Sequence, residues 1–395
     1  MTSIPPLDLT RQYATHLETD VSEAVLAALR SGRYIGGQAV TDFEAAFAAY
    51  VGTAHCVGCN SGTDALYLAL RVLDIGPGDE VITSPFTFIA TAEMISAVGA
   101  KPVFVDINPT TFNLDSSQLA AAITPQTKAI LPVHLFGRPV EMDQVMAIAT
   151  QHNLAVIEDC AQATGATWQG QKVGSIGTIG CFSFFPTKNL GACGDAGAVT
   201  TNDPAITERL RVLREHGQPE RYLHTEIGIN SRLDALQATI LQIKLRYLDQ
   251  WNQQRAAVAD RYGQLLAKIP EIIRPTNAAE GQAVWNQYSI RLPQTASPNG
   301  NGKAAELPRD RLRAQLQAQG ISSMIYYPYP LHRQPVYQDL GYGEGSLPQS
   351  ERVAQEVLAL PMFPELTAAE QKQVVAGIQD WMRDYCAPTV HQASP

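Results

Sequence analysis

Residues 183–197, SFFPTKNLGACGDAG, place one lysine between aromatic residues and glycines. Lys188 and Asp195 are the only charged residues of this stretch. The lysine amine could bind a phosphate. If apolar surroundings lower its pKa, it could instead stay neutral and form a Schiff base with an aldehyde. The structural alternative is a lysine whose stem packs while its amine reaches solvent. The stretch alone leaves these three interpretations open.

A second stretch, Asn60-Ser61-Gly62-Thr63, directly precedes an amphipathic helical pattern. Backbone N–H groups at a helix start, with hydroxyl side chains and a glycine that permits close approach, form a phosphate cup. The same residue types also favour an ordinary N-cap. The stretch is neither a Walker A sequence nor a GxGxxG sequence, so the sequence supports both interpretations equally.

Two further candidates follow apolar runs. The run LAVIED ends in Glu158-Asp159, where a buried carboxylate needs a partner such as a protonated heterocyclic nitrogen, an N-cap or a salt bridge. Phe86 and Phe88 follow the run VITS, and either could stack on a flat ring or pack in the core. A phosphate cup, an acid, a stacking ring and a lysine are together what pyridoxal phosphate requires. The four stretches therefore predict a pyridoxal 5'-phosphate site.

The elements that position these stretches alternate between apolar runs and helical patterns from about residue 55 to 200. This alternation predicts βαβ units and a mainly parallel sheet, whose carboxyl ends collect ligands. Residues 233–267 contain no proline or internal stop and predict one helix that bridges two domains. We predict an α/β fold with a large cofactor-binding domain (1–245), a smaller C-terminal α+β domain (246–386) and a tail (387–395).

Patterns in the second domain predict its main elements. WNQYSIRLP at 285–293 indicates a strand, and the Gly- and Pro-containing stretch 295–308 indicates an exposed hairpin loop. RDRLRAQLQAQG indicates a helix closed by Gly320, and a final helix is expected from about 367 to 385.

Composition excludes several classes of function. The 395 residues include 29 Lys and Arg and 38 Asp and Glu, for a net charge of −9, and no basic block stands out. This balance argues against nucleic-acid binding and against anionic membranes. With no long apolar run and no signal-peptide pattern, we expect a cytoplasmic protein without membrane spans. The scattered cysteines indicate reduced thiols. Cys56 and Cys59 lack a second ligand pair, so no metal is expected.

The motifs, in this order, resemble the DegT/DnrJ/StrS sugar aminotransferases, which have the aspartate-aminotransferase-like fold of type I pyridoxal phosphate enzymes. The resemblance runs from about residue 5 to about 385. It rests on SGTDALYLAL, GDEVITSPFTFIATA, IEDCAQATGA, SFFPTKNLGACGDAGA, REHGQ and GINSRLDALQATIL. It implies that Lys188 forms the Schiff base and transfers protons, and that Asp159 keeps the pyridine nitrogen protonated.

The resemblance also implies how the other site residues act. The predicted cofactor-binding residues are Ser61, Gly62, Thr63, Phe88, Asp159, Gln162, Ser183, Lys188 and Asn230. Asn230 would reach the phosphate of the neighbouring subunit, which implies a homodimer with shared active sites. The predicted substrate-binding residues are Arg232, Tyr326, Tyr327 and His332.

The implied reaction takes an amino group from L-glutamate, releases 2-oxoglutarate and aminates a nucleotide-linked keto sugar for amino-sugar and polysaccharide biosynthesis. The segments REHGQPERY, NSRLD and YYPYPLH most resemble enzymes that aminate C3 of dTDP- or UDP-linked 3-keto sugars. Tyr326 stands where hexuronate enzymes often have histidine, which disfavours a hexuronate substrate.

Other functions remain as alternatives. They are C4 amination of a 4-keto sugar, amination of a cyclitol ketone, sugar 3-dehydration, and a non-enzymatic regulatory or sensory role. Dehydratase relatives replace the lysine with histidine, so Lys188 argues against dehydration. A regulatory protein could lose Lys188 or Asp159, and the chain has both. The sequence gives Asp195 no assigned role.

Overall fold

The computed structural model describes residues 3–293 and 307–386 of the chain. The predicted hairpin loop at 295–308 lies almost entirely outside these ranges, and the predicted tail at 387–395 lies wholly outside them. The last helix runs over Ala368–Cys386, which confirms the helix predicted from about 367 to 385.

The strands of the described ranges fall into three sheets. They are β1 (His55–Cys59), β2 (Glu80–Thr83), β3 (Lys101–Phe104), β4 (Thr127–Leu131), β5 (Ala155–Asp159), β6 (Thr167–Trp168), β7 (Gln171–Lys172), β8 (Ile179–Ser183), β9 (Gly197–Thr201), β10 (Gly281–Gln282), β11 (Tyr288–Arg291) and β12 (Val357–Leu360). The central sheet has seven strands in the order β1-β9-β8-β5-β4-β2-β3. Strand β9 is antiparallel to β1 and β8, and the remaining neighbours pair in parallel. The mainly parallel α/β sheet is therefore confirmed.

The described residues form thirteen α-helices, some of which cover both faces of the central sheet and others of which belong to a second core. They are α1 (Leu9–Gln12), α2 (Glu18–Ser31), α3 (Gln38–Val51), α4 (Gly62–Val72), α5 (Ala90–Ala97), α6 (Leu119–Ala122), α7 (Met142–His152), α8 (Pro204–Leu213), α9 (Ala235–Leu245), α10 (Leu248–Leu266), α11 (Pro308–Ala318), α12 (Pro348–Glu356) and α13 (Ala368–Cys386). None of the described helices has the length and apolar character needed to cross a membrane.

Burial on both faces explains the continuous apolar strands. In β1, Val57 joins one core with Leu70 of α4, whereas its neighbour Cys56 joins another core with Phe43 of α3 and Phe182 of β8. Because successive strand residues point to opposite faces, such a strand must be apolar throughout.

The strand directions bring the candidate stretches to one edge. Since β1, β2, β4, β5 and β8 all run the same way, their carboxyl ends meet at the same side of the sheet. Asp159 and Ser183 are the last residues of β5 and β8, and the start of α4 and the Phe86–Phe88 segment follow the ends of β1 and β2. This is the edge at which α/β sheets bind ligands.

The prediction of one helix over 233–267 is wrong. The chain forms α9 and α10, which are separated at Arg246 and Tyr247. Both of these residues donate backbone hydrogen bonds to carbonyls three positions earlier, so the α-helical ladder tightens and breaks there. Leu248 and Trp251, which follow the break, are fully buried. Tertiary packing therefore overrides a continuous helical pattern.

A second hydrophobic core supports the second predicted domain. It joins Val258 and Tyr262 of α10, Ile290 of β11, Leu358 of β12 and Val374 of α13. We propose that this unit begins near residue 246, as the sequence indicates.

The N-terminal segment packs differently from the predicted division. Ile4 lies in the second core, and its N–H donates to the carbonyl of Gly320 at 2.9 Å. Its carbonyl accepts a hydrogen bond from the N–H of Ser322, also at 2.9 Å. The predicted large domain of residues 1–245 therefore sends its first residues into the smaller unit.

A buried ion pair joins β11 to the end of α12 in the second unit. Nε of Arg291 donates to Oε2 of Glu356 at 2.8 Å, and both side chains are buried. Nη1 of Arg291 also donates to the carbonyl of Pro109 at 2.7 Å, which ties the second unit to the first.

Replacing Glu356 with glutamine should destabilise the protein by about 3 kcal/mol, because it leaves the Arg291 charge buried without a counterion. Denaturant unfolding at neutral pH measures this loss. The control is Asp380→Asn, which breaks an exposed pair with Arg383 and should cost less than about 1 kcal/mol. Equal losses in the two variants would contradict the assignment.

Candidate active site

The phosphate-cup stretch starts α4. Ser61 is the N-cap residue, and its Oγ accepts a hydrogen bond from the N–H of Asp64 at 3.0 Å. Helix geometry leaves the N–H groups of Gly62 and Thr63 without intrahelical partners. A methyl group added to Gly62 would lie 2.5 Å from Cβ of Ser183, so only glycine allows this approach. The N-cap and anion-site interpretations are therefore compatible, and Ser183 lies beside the cup.

The two carboxylates at the end of β5 have different partners. Glu158 accepts hydrogen bonds from the N–H groups of residues 174, 176 and 177, so its role is structural. Oδ1 of Asp159 accepts from the N–H of Ala161 at 3.1 Å, and Oδ2 accepts from Oγ1 of Thr91 at 2.9 Å. Burial raises the pKa of Asp159, and the two hydrogen bonds and the nearby Lys188 oppose that rise. A protonated ring nitrogen would relieve the cost of this buried charge.

Glu158 also lies in a buried cluster with His134 and Cys160, whose candidate ligand atoms lie within 4.8 Å of one another. Nε2 of His134 lies 3.1 Å from Oε2 of Glu158, and Nδ1 accepts a hydrogen bond from the N–H of Val140 at 3.0 Å. Because both ring nitrogens are used, we assign no metal to this cluster.

The Cys56-x-x-Cys59 pattern does not form one ligand pair. The two thiols belong to different cores, and burial raises the pKa of each. Both are therefore small buried residues of β1.

Lys188 lies in the loop after β8. Its backbone N–H donates to the carbonyl of Phe185 at 2.8 Å, and its side chain is half-buried. Within residues 3–293 and 307–386, the amine makes no hydrogen bond or ion pair. Loss of solvent lowers the pKa of this amine to about 8, and the charge of Asp159 opposes the shift. About a tenth of the amine is thus neutral at pH 7, far more than at the ordinary pKa of about 10.5, and the neutral amine is the form that bonds to an aldehyde.

The two phenylalanines separate clearly by exposure. Phe86 is 0% exposed and belongs to the core, whereas Phe88 is 56% exposed and remains available for stacking. The ring of Tyr327 lies 6.4 Å from Phe88. Oε1 of Gln162 accepts from the N–H of Phe136 at 2.7 Å, and its Nε2 donates to the hydroxyl of Tyr327 at 3.1 Å. Phe88, Gln162 and Tyr327 therefore form one wall of the site.

The two remaining predicted substrate residues of the second unit, Tyr326 and His332, lie in different surroundings. The ring of Tyr326 lies 5.8 Å from that of Tyr327, and Tyr326 is half-buried. His332 is buried, with Nε2 3.0 Å from Oε1 of Glu351 and its ring 6.0 Å from that of Tyr342. Burial lowers the pKa of His332. Among the described residues these contacts hold His332 within the second unit, and they do not join it to Tyr327.

The segment that contains Asn230 and Arg232 attaches to α4 through the buried residue between them. Oγ of Ser231 donates to Oδ2 of Asp64 at 2.7 Å. Asn230 is exposed, and Arg232 donates to Oε1 of Glu215 at 3.1 Å. The structure thus places the segment beside the phosphate cup of its own chain. It leaves the Asn230 side chain at the surface and gives the Arg232 guanidinium one internal partner.

Two residues beside the site were missed by sequence reasoning. Thr91 of α5, whose hydroxyl lies 3.2 Å from that of Thr87, donates to Asp159. Asn189 follows Lys188 and is buried among residues far away in sequence. No local pattern reveals the partners of Asn189.

Replacing Lys188 with methionine should stabilise the cofactor-free protein below pH 8, because charging the buried amine opposes folding there. The gain should be at most about 3 kcal/mol, before a discount for partial solvent exposure, and should fade as pH rises from 8 to the unfolded pKa near 10.5. Denaturant unfolding across this pH range measures it. The exposed Lys101 provides the control Lys101→Met, which should show no such gain. A pH-independent effect at Lys188 would contradict the assignment.

Comparison with known proteins agrees with this geometry. The chain is 47% identical over 385 residues to a protein of Geobacillus stearothermophilus named "Pleiotropic regulatory protein", covering 97% of this chain and 100% of that one. It is 43% identical over 378 residues to dTDP-3-amino-3,4,6-trideoxy-alpha-D-glucose transaminase of Streptomyces venezuelae, covering 96% of each.

A solved structure is similar over almost the whole fold. The crystal structure of DesV of S. venezuelae in complex with a ketimine intermediate matches with a TM-score of 0.90 and 43% identity, covering 96% of this chain and 99% of that one. Residues 15–379 match the DegT/DnrJ/EryC1/StrS aminotransferase family. The chain therefore belongs to the DegT/DnrJ/EryC1/StrS aminotransferase family.

Proposed function

We propose that this protein is a pyridoxal phosphate-dependent aminotransferase that moves an amino group from L-glutamate to the C3 ketone of a dTDP- or UDP-linked 3-keto sugar. The observation that carries the proposal is the Lys188 amine. Among the described residues it has no hydrogen bond or ion pair, its pKa is about 8, and the charge of the buried Asp159 acts on it. Membership of an aminotransferase family and the similarity to a dTDP-sugar transaminase support the reaction and the substrate class.

The residues present fit pyridoxal phosphate. The start of α4, with Gly62 and Thr63, and the hydroxyl of Ser183 would hold the phosphate. Asp159 would accept a hydrogen bond from the pyridine nitrogen, and Phe88 would stack on the ring. When bound, the cofactor supplies an aldehyde for the amine and an electron sink for the carbanion.

Within this site, Lys188 moves the proton. With a pKa of about 8, its Nζ can take a proton from the donor's α-carbon and later return one to the sugar carbon. The bonds from Thr91 and Ala161 favour the ionised form of Asp159 and oppose the rise of its pKa by burial, so the carboxylate would hold a positive charge opposite it.

The second unit would orient the sugar. Burial raises the pKa of Tyr327, so its hydroxyl remains protonated at neutral pH. That oxygen already accepts a hydrogen bond from Gln162, so its own proton is free to be donated to a substrate oxygen. Tyr326 and the Arg232 guanidinium would contact the sugar and anionic groups, whereas the internal bond of His332 to Glu351 gives it a supporting role.

The name of the Geobacillus relative suggests a regulatory role as a second candidate. A purely regulatory protein has no need for an amine with a lowered pKa beside a buried carboxylate, and both features are present. Turnover of amino donor by the purified protein would decide against a role limited to regulation.

The purified protein loaded with pyridoxal phosphate should absorb visible light and lose this band when L-glutamate is added. A panel of dTDP- and UDP-linked amino sugars, assayed in reverse with 2-oxoglutarate, should identify the 3-amino sugar. Lys188→Ala should reduce turnover by about 100- to 10,000-fold, because the proton carrier is lost.

The matched control for this test is Lys101→Ala, which should retain wild-type turnover. A cofactor adduct trapped by borohydride at wild-type levels in Lys188→Ala would overturn the assignment of the lysine. Turnover of 4-amino sugars alone would overturn the assignment of C3.

We also propose a homodimer in which Asn230 of each subunit completes the phosphate site of the other, since Asn230 is exposed while Ser231 is buried. Lys188→Ala and Asn230→Ala chains, each of low activity, should regain roughly a quarter of wild-type activity when refolded together, because random mixing restores one site in half of the dimers. No recovery in verified mixed dimers would contradict shared sites.

A further inference from the structure

The position of the Lys188 amine depends on the loop that carries it. Within the described ranges the amine has no hydrogen bond or ion pair, so its own side chain does not fix its place before a cofactor binds. The loop between β8 and β9 turns back on itself, with Ala192 N–H donating to the Phe184 carbonyl at 2.7 Å. Hydrogen bonds to residues outside this turn must therefore fix the loop relative to the rest of the molecule.

Asn189, the next residue, makes that attachment. It is 4% exposed, and its Nδ2 donates to Oδ1 of Asn252 at 2.7 Å and to the carbonyl of Val284 at 2.9 Å. Its Oδ1 accepts from Nδ2 of Asn286 at 2.8 Å. One amide side chain thus satisfies three groups that lie 63, 95 and 97 residues away in sequence.

These partners are themselves held in place. Nδ2 of Asn252, on α10, donates to the carbonyl of Thr164 at 3.1 Å. The N–H of Asn286 donates to the carbonyl of Phe136 at 2.9 Å. The N–H of Phe136 in turn donates to Oε1 of Gln162, which belongs to the wall formed with Phe88 and Tyr327. The network therefore connects the lysine loop to elements on either side of the site.

A second bond supports the same loop two residues further on. The buried Lys244 of α9 donates to the carbonyl of Gly191. Asn189 is thus bonded to Asn252 of α10, Val284 and Asn286, and Gly191 is bonded to Lys244 of α9. Among the described residues, the Lys188 amine has no such bond.

We propose that Asn189 is a positioning residue that, through Asn252, Val284 and Asn286, sets the position of the Lys188 amine relative to the cofactor aldehyde. This inference rests on the proposed function. Losing the amide leaves two acceptors and one donor buried without partners, and the loop must shift to satisfy them. A shift of about 1 Å at a reacting group can lower a rate by about 100-fold.

The test separates covalent bonding at Lys188 from noncovalent binding in the cofactor site. Pyridoxal phosphate must react with the amine, whereas pyridoxamine phosphate occupies the same site without bonding to lysine. In Asn189→Ala, the rate at which the cofactor-free protein bonds pyridoxal phosphate should fall by about 10- to 100-fold, while the dissociation constant for pyridoxamine phosphate changes less than about threefold.

The matched control is Gln371→Ala. Gln371 is 0% exposed, and its side chain accepts a hydrogen bond from Arg261 and donates one to the carbonyl of Val258, both outside the Asn189 network. This variant should lose about as much stability as Asn189→Ala. It should keep the wild-type ratio between the rate of bonding to pyridoxal phosphate and the dissociation constant for pyridoxamine phosphate. Asn252→Ala, which leaves Asn189 its bonds to Val284 and Asn286, should give a smaller change in the same direction and serves if Asn189→Ala does not fold.

The outcomes are distinct. Equal changes in the two readouts, or no change, in both Asn189→Ala and Asn252→Ala would overturn the positioning role. A wild-type protein that fails to bond pyridoxal phosphate at Lys188 would instead overturn the proposed function, whatever the variants do.

Discussion

The site depends on keeping a carboxylate and an amine buried at the same edge of a parallel sheet. Burial penalises both charges, so it raises the pKa of Asp159 and lowers that of Lys188. Two hydrogen bonds hold the carboxylate, whereas in the described part of the chain the amine has no hydrogen bond and feels the Coulomb attraction of Asp159. This asymmetry keeps the acid in place and leaves the amine reactive. Burying the amine thus makes it reactive and, for the same reason, lowers the stability of the cofactor-free protein.

The architecture makes this arrangement possible by bringing distant stretches together. Five strands of the same direction end at one edge, so the cup, the ring wall, the acid and the end of β8 before the lysine loop meet there without long loops. Gly62 is required where the cup meets Ser183, since any side chain would collide with β8. The second unit supplies Tyr327 to this wall, and it supplies Asn252 and Asn286, the asparagine partners of the lysine loop.

Neighbouring residues in the sequence have separate tasks in this site. Glu158 binds the loop at 174–177, and the next residue, Asp159, is aimed at the site. Among the described residues the Lys188 amine has no partner, whereas the amide of the next residue, Asn189, makes three hydrogen bonds. Ser231 is buried against Asp64, and Asn230 beside it is exposed. In each pair one residue is bonded within the protein, and its neighbour is the one to which we assign a role in the proposed reaction.

The sequence by itself determined the fold class, and it predicted the lysine, a carboxylate at the end of β5 and the cup, because each depends on a local pattern: apolar strands, a helix start and a lysine among aromatic residues and glycines. The local pattern alone is compatible with both Phe86 and Phe88, and with both Glu158 and Asp159, and only the family resemblance favours Phe88 and Asp159. The tertiary structure separates the members of each pair by burial and hydrogen-bond partners. It also divided the predicted helix at 233–267 and gave Asn189 its partners, because packing between residues far apart in the chain decides both.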